Sequence, residues 1–164
     1  MPFPCCPKFK RCCWCTRHLR VACVFIVLWS MLATCHSCGI LMWPACPTQY
    51  TDESNPLFKP SFVFMWILLI LNMLTVVCSF GFLLTLLFGR FLSFAEAFLS
   101  LGLLSAFFML CHGVITLTMF LTRHEYNFDC WNPSDGIAHI IYFIVWSYFI
   151  CIANSYVYQL RGEY

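Results

Sequence analysis

A chain of 164 residues that is 62% hydrophobic and only 10% charged differs from soluble domains, in which about 25% of the residues are charged. The net charge of +2 is small. The basic residues lie beside an apolar segment, with no fold to present them to phosphates, so a nucleic-acid partner is not indicated. Length and composition together indicate one class, a small polytopic membrane protein made of helices.

Residues 1–20, which we call the head, read MPFPCCPKFKRCCWCTRHLR and are basic and rich in cysteine. Cysteines beside a membrane segment and among basic residues are typical targets of S-palmitoylation, and the bases would also be attracted to anionic cytosolic lipids. One C-x-x-C could supply half of a zinc site, but the head has no second C-x-x-C or His pair to complete it. Acylation is therefore the favoured interpretation, with metal binding and free thiols as alternatives. The candidate acylation sites are Cys5, Cys6, Cys12, Cys13 and Cys15.

Four apolar segments follow the head, at residues 21–43, 61–88, 91–121 and 137–160. The second has no charged residue, and about 20 apolar residues suffice to cross the hydrocarbon core as a helix. Backbone inside lipid must satisfy its own hydrogen bonds, so each segment is predicted to be helical. No A-x-A cleavage pattern follows the first segment, which we interpret as an uncleaved span. The predicted fold is all-α, a four-helix transmembrane bundle over residues 21–160 followed by a tail at 161–164.

The distribution of Lys and Arg predicts the orientation of the bundle. Four spans place both termini on one side of the membrane, and cytoplasmic flanks carry an excess of basic residues. The side with the termini holds most of the bases: Lys8, Lys10, Arg11, Arg17, Arg20, Arg90 and Arg161. The other side holds Lys59 and Arg123. Both termini are therefore predicted to be cytosolic, with the loops 44–60 and 122–136 on the opposite side.

Cysteines beyond the head suggest two further features. Cys46 and Cys130 lie in the two outer loops, where an oxidising compartment would favour a disulfide between them; two unpaired thiols are the alternative. Cys35 and Cys38 form a second C-x-x-C near the end of the first span. Such a pair could exchange thiols and disulfides in a membrane enzyme, but cysteines at this helical spacing are also ordinary packing residues.

Few polar residues interrupt the spans. An intramembrane acid is costly and is a candidate functional residue, which singles out Glu96. Asn154, at a similar depth, is a candidate hydrogen-bond partner for it. The alternative is a Glu96 that only bonds a neighbouring helix or lies near the interface beside Arg90. His112 follows Glu96 by 16 residues, about 24 Å along a helix, which is too far for contact within one subunit. Asn72, near the middle of the second span, is expected to form a hydrogen bond with a neighbouring helix.

The sequence Arg11-Cys12-Cys13-Trp14-Cys15-Thr16-Arg17-His18, which runs into the first span, resembles the start of the lysosome-associated four-transmembrane proteins. The order of four spans and the segment Ala153-Asn154-Ser155-Tyr156 with Tyr158 are also similar in style. The resemblance implies cytosolic termini, endosomal or lysosomal membranes, and an adaptor role in trafficking or transport regulation.

No phosphate-binding loop, nucleophile elbow or H-E-x-x-H motif occurs in the sequence, and we assign no catalytic, cofactor-binding or metal-binding residue. We expect a non-enzymatic adaptor or organiser of endomembrane or plasma-membrane proteins. Its partners would be the bilayer and, through helix faces, other membrane proteins or copies of itself. A transporter or channel subunit that uses Glu96 and His112 is the alternative. A thiol–disulfide membrane oxidoreductase that uses Cys35 and Cys38 is a third hypothesis.

Overall fold

A computed structural model of the chain describes residues 18–43, 57–89, 91–126 and 133–162. Within them it has four α-helices and no strand: α1 Leu19–Met42, α2 Phe58–Phe88, α3 Leu92–Tyr126 and α4 Ser134–Leu160. Each helix is long and apolar enough to cross a membrane, which confirms the predicted all-α fold with four spans. The candidate acylation cysteines of the head lie outside the described residues, as do Cys46 and Cys130.

The helices begin and end within three residues of the predicted spans, except at the end of α3. α3 has 35 residues, about 52 Å at 1.5 Å per residue, whereas the hydrocarbon core is about 30 Å thick. It continues to Tyr126, beyond the predicted end at residue 121. Residues 122–126 contain neither Gly nor Pro, so nothing in the sequence stops the helix when the apolar segment ends.

The four helices form a closed antiparallel ring. α1 packs against α2 and α4, and α3 packs against the same two helices, while the diagonal pairs of described helices make no close backbone contact. α1 and α3 begin, and α2 and α4 end, at one end of the bundle, which we call the termini end. The opposite end, where the two long loops connect the helices, is called the loop end.

Two arginines join neighbouring helices at the termini end. Arg20 donates from Nε to the carbonyl of Leu86 at 2.7 Å and from Nη2 to that of Leu87 at 3.0 Å. These carbonyls belong to the last turn of α2, which lacks intrahelical donors and carries the negative end of the helix dipole. Arg161, just after α4, forms an ion pair with Glu96 near the start of α3. Contacts of cationic side chains therefore tie α1 to α2 and α4 to α3.

Aromatic rings fill the core on the termini side of the bundle. Phe82 lies 5.1 Å from Phe98 and 6.3 Å from Tyr156 between ring centroids, and Phe98 lies 5.9 Å from Trp146. Trp146 Nε1 donates to the carbonyl of Gly102 at 2.8 Å. A Cβ on Gly102 would lie only 3.1 Å from that nitrogen. The glycine thus lets the indole of α4 reach the backbone of α3, the kind of close packing that holds helices together in lipid.

The outward faces of the helices carry large apolar side chains, and the polar residues lie inside. Side chains that are more than half exposed include Phe25, Leu32, Ile70, Met73, Val77, Phe80, Phe107 and Ile144. Lipid tails are as apolar as these side chains, so their exposure costs little in a membrane. A polar group without a hydrogen bond costs several kcal/mol in the same place, so the buried polar residues are expected to bond one another or the backbone.

Candidate functional site

Each of the four helices contributes one polar side chain to a layer inside the bundle. Ser37 comes from α1, Asn72 from α2, Ser105 from α3 and His139 from α4, and all four are fully buried. Ser37 and His139 lie about 8 Å along their helices from the loop end, at 1.5 Å per residue. We call these four residues the polar layer.

Hydrogen bonds connect the polar layer through all four helices. Ser105 Oγ donates to Asn72 Oδ1 at 3.0 Å, and the Asn72 amide nitrogen donates to Ser37 Oγ at 2.9 Å. Ser37 Oγ lies 3.0 Å from Nε2 of His139. Nδ1 of His139 lies 2.7 Å from the carbonyl oxygen of Asp135. A carbonyl only accepts, so Nδ1 carries the proton, and Nε2 of the neutral ring accepts from the hydroxyl of Ser37.

The polar layer determines how the helices are placed along one another. A shift of one helix by a single turn moves its side chains by about 5.4 Å, which would break every bond that the helix makes in the layer. The stranded groups would then lie unsatisfied in a low-dielectric interior, where they are costly. Buried polar residues fix register in the same way in coiled coils. The layer therefore specifies one arrangement of four apolar helices.

A second buried histidine lies beside the polar layer. His112 of α3 is fully buried, and its ring centroid is 4.8 Å from that of His139, edge to face. Two glycines bring α3 and α4 together here. A Cβ on Gly113 would lie 2.9 Å from the carbonyl oxygen of Gly136, and a Cβ on Gly136 would lie 3.0 Å from that of Gly113. Side chains at these two positions would push the helices apart and separate the rings.

A smaller polar contact joins α1 to α2 on the termini side of the polar layer. The hydroxyl oxygens of Ser30 and Ser79 are 2.9 Å apart, and both residues are fully buried. Ser79 Oγ also lies 2.7 Å from the carbonyl of Thr75, the local bond that serines commonly form in helices. The contact adds a second fixed point to the α1–α2 interface.

A His–Tyr pair faces outward between α1 and α4, next to the polar layer. The Tyr142 hydroxyl oxygen is 2.7 Å from Nδ1 of His36, and the two rings are nearly perpendicular at 6.1 Å. His36 is exposed and Tyr142 is half-buried. The Tyr142 ring lies 6.5 Å from that of His139, and His36 immediately precedes Ser37. The pair thus lies on the outer surface of the bundle, next to the Ser37–His139 contact between α1 and α4.

The polar residues predicted from the sequence are divided between two parts of the bundle. Asn72, expected to bond a neighbouring helix, bonds two, and His112 lies in the interior beside His139. Glu96 lies at the termini end, where its carboxylate pairs with Arg161. Asn154 is fully buried in α4, and its expected bond with Glu96 stays a prediction. Glu96 and His112 therefore do not share one site.

The two thiols of the C-x-x-C in α1 point to different surroundings, since Cys35 is exposed and Cys38 is buried. The described cysteines form no disulfide with one another. In the described part of the chain, no group of three or more His, Cys, Asp or Glu side chains is placed to hold a metal ion. The thiol–disulfide hypothesis therefore gains no support from the arrangement of these residues.

Sequence reasoning did not find three of the four residues of the polar layer. His139 lies two residues inside the predicted span 137–160, where it looks interfacial. Because α4 begins at Ser134, His139 is an ionisable residue within an apolar helix, the same signal that singled out His112. Ser37 and Ser105 carry no comparable signal, because a serine in a helix can bond its own backbone.

Comparison of the chain with protein-family models, curated proteins and solved structures found no match. The resemblance of the head to the lysosome-associated four-transmembrane proteins stays a prediction.

Proposed function

We propose that this protein is a non-enzymatic adaptor or organiser that binds other membrane proteins through the outer surface of its bundle. The polar layer supports this function because it holds the four helices in one register and so keeps the outer surface constant. The resemblance of the head supports an endosomal or lysosomal membrane, with the plasma membrane as the alternative.

An apolar groove between α3 and α4 is the observation that carries the proposal. It has a volume of about 600 Å³ and is lined by Ser100, Leu103, Leu104, Phe107 and Phe143. The three α3 residues Leu103, Leu104 and Phe107 are each between 44% and 56% exposed. They form a ridge beside a depression on the lipid-facing side of the bundle.

The shape of this groove fits the transmembrane helix of a partner protein. Its α3 wall covers residues 100–107, about two helical turns. The hydroxyl of Ser100 donates to the carbonyl of Glu96 in its own helix, so the wall presents no free polar donor to lipid. Leu and Phe at helical spacing form the ridges and grooves into which another apolar helix packs. We therefore assign the groove to a partner helix.

Site-specific photocrosslinking in cells tests this assignment. A photoreactive amino acid at Leu103 or Phe107 is expected to give discrete adducts with other proteins, because a bound helix would lie within reach. The matched control positions are Met73 and Val77 of α2, which are at least as exposed on the outer surface as the two groove positions. Identical adduct patterns at the groove and control positions would contradict the proposal.

A groove-filling substitution gives a second test. Leu103→Trp adds a ring to the groove and should reduce the adduct formed at Phe107, whereas Val77→Trp adds the same ring elsewhere and should leave that adduct unchanged. A partner that is still captured at full yield in Leu103→Trp would show that it does not occupy the groove.

A transporter or channel subunit is the second candidate, favoured by the two histidines inside the bundle. Ionisable residues within membrane helices commonly mark pathways for ions or protons, and His112 and His139 face each other there. Proteoliposomes loaded with a pH-sensitive dye test this function. A proton flux that is lost in His112→Phe and kept in Glu96→Gln would support a pathway through the histidines. Absence of flux in the unmodified protein would argue against it.

A further inference from the structure

A polar pair on the lipid-facing side of a membrane bundle requires an explanation. Polar residues within membrane spans almost always face the bundle interior or a cavity. His36 departs from this rule, because it is exposed and bonds the half-buried Tyr142 across the outer side of the α1–α4 contact. We propose that the pair binds the hydroxyl group of a sterol that docks against α1 and α4 from the lipid.

The depth of the pair fits an uncharged headgroup. His36 lies about 9 Å from the loop end of α1 and Tyr142 about 12 Å from the loop end of α4, at 1.5 Å per residue. If each helix is centred on a hydrocarbon core of about 30 Å, both residues lie about 6 to 7 Å below its edge. A charged phosphate would lose its hydration there at high cost, whereas a single hydroxyl requires only one or two hydrogen bonds.

The hydrogen-bonding capacity of the pair matches an alcohol. If the Tyr142 hydroxyl donates to Nδ1 of His36, the ring offers its Nε2–H and the tyrosine oxygen can still accept. If Nδ1 donates instead, the tyrosine O–H becomes the free donor and Nε2 the acceptor. Either arrangement presents one donor and one acceptor, which complement the acceptor and donor of a single alcohol group. An ester carbonyl, the polar group of a diacyl lipid at this depth, could use only the donor.

An apolar stripe continues from the pair toward the middle of the membrane. Phe25, Trp29 and Leu32 precede His36 at spacings of four, three and four residues, which place them on the same face of α1. They are 64%, 48% and 70% exposed. The stripe is about 16 Å long and leads away from the loop end. A ligand bound there would have its polar group at the His–Tyr pair and its apolar body along the stripe.

Rigid rings suit this stripe better than flexible chains. An acyl chain loses rotational freedom when it is ordered on a surface, whereas a fused-ring body is preorganised and loses little. The aromatic rings of Phe25 and Trp29 offer flat surfaces to such a body. This favours a sterol over a diacylglycerol, which has the same free hydroxyl group but two flexible chains.

The inference goes beyond the proposed adaptor function. The sterol site lies between α1 and α4, whereas the groove assigned to a partner helix lies between α3 and α4. One is tested by lipid binding and the other by protein adducts, so failure of either experiment leaves the other result intact.

Photolabelling of the full-length protein in membranes tests the sterol site. The probe is a clickable, photoreactive cholesterol analogue, with a matched photoreactive phosphatidylcholine and a matched diacylglycerol as comparisons. We expect saturable sterol labelling on peptides of α1 or α4, competed by excess cholesterol. Tyr142→Phe should reduce it at least fivefold. The control is Tyr148→Phe, which removes the hydroxyl of a second, more exposed tyrosine of α4 and should leave labelling unchanged.

Two results would overturn the proposal. The first is equal sterol labelling of the unmodified protein, Tyr142→Phe and Tyr148→Phe, which would show that the pair does not bind the hydroxyl. The second is labelling by phosphatidylcholine or diacylglycerol at least as strong as that by the sterol and resistant to cholesterol, which would assign the surface to ordinary lipid. Trp29→Leu gives an independent check, since loss of the ring should weaken sterol labelling without changing the polar pair.

Discussion

Replacing Asn72 by leucine removes the centre of the polar layer and keeps a side chain of similar size. The variant loses two interhelical hydrogen bonds, one with Ser37 and one with Ser105. Such bonds contribute on average about 0.6 kcal/mol each in membrane proteins and at most about 1.7. We therefore expect the free energy of unfolding to fall by about 1 to 3 kcal/mol. The stranded hydroxyl of Ser105 can turn to its own helix backbone, which favours the lower part of this range.

Unfolding in mixed micelles measures the effect. Rising SDS in dodecyl maltoside, followed by far-UV circular dichroism, gives the free energy of unfolding for each variant. Met73→Leu changes the next residue, which is 56% exposed, and should alter stability by less than about 0.5 kcal/mol. Asn72→Leu and Ser105→Ala remove the same bond from its two sides, so together they should cost about 0.6 kcal/mol less than the sum of their separate effects.

An Asn72→Leu variant as stable as the unmodified protein would refute this reasoning, especially if its effect added to that of Ser105→Ala without coupling. The register of the helices would then depend on packing alone. The hydrogen bonds of the polar layer would then contribute nothing to the stability of the bundle.

Three further substitutions test other contacts. Gly113→Ala should destabilise the bundle by about 1 to 3 kcal/mol because its Cβ would overlap the backbone of α4. The control Gly39→Ala, with open space around it, should be neutral or stabilising by up to about 1 kcal/mol. Equal effects of the two substitutions in thermal unfolding would contradict the close approach of α3 and α4. Arg20→Met should speed amide hydrogen exchange in the last turn of α2 and leave α4 unchanged, because it removes two bonds to α2 carbonyls; unchanged exchange in α2 would contradict this. Trp146→Phe loses its bond to the α3 backbone and should cost about 1 kcal/mol in the SDS assay, while Trp66→Phe, on the outer surface, should cost much less.

The fold could be predicted from the sequence because lipid allows so few solutions. A long apolar segment inside a bilayer must be a helix, so the run at 61–88 alone determines its own secondary structure. The ends were harder to predict, because hydropathy reports where the apolar residues stop and not where the backbone stops being helical. α2 begins at Phe58, before the charge-free segment starts, and α3 continues through polar residues to Tyr126.

The polar layer could not be predicted because it depends on how each helix is rotated about its axis. In a soluble helix the polar face reveals the inner face by contrast, but here both faces are apolar. From the sequence, Asn72 could therefore be predicted to bond a neighbouring helix. Its partners, Ser37 and Ser105, could not be predicted. The separation of Glu96 from His112, by contrast, follows from their spacing along α3 alone, and the structure places the two in separate surroundings.

Orientation in the membrane is the last prediction, and it decides which compartment each surface meets. Arg20 and Arg161 both lie at the termini end, in keeping with the excess of bases that predicts cytosolic termini. A glycosylation sequon inserted into the loop 44–56 should be modified in cells, whereas one added before residue 1 should not. The reverse result would show that the head faces the lumen or the outside. Cytosolic acylation of its cysteines would then be wrong, while the polar layer and the sterol site, which do not depend on which side of the membrane the head faces, would be unaffected.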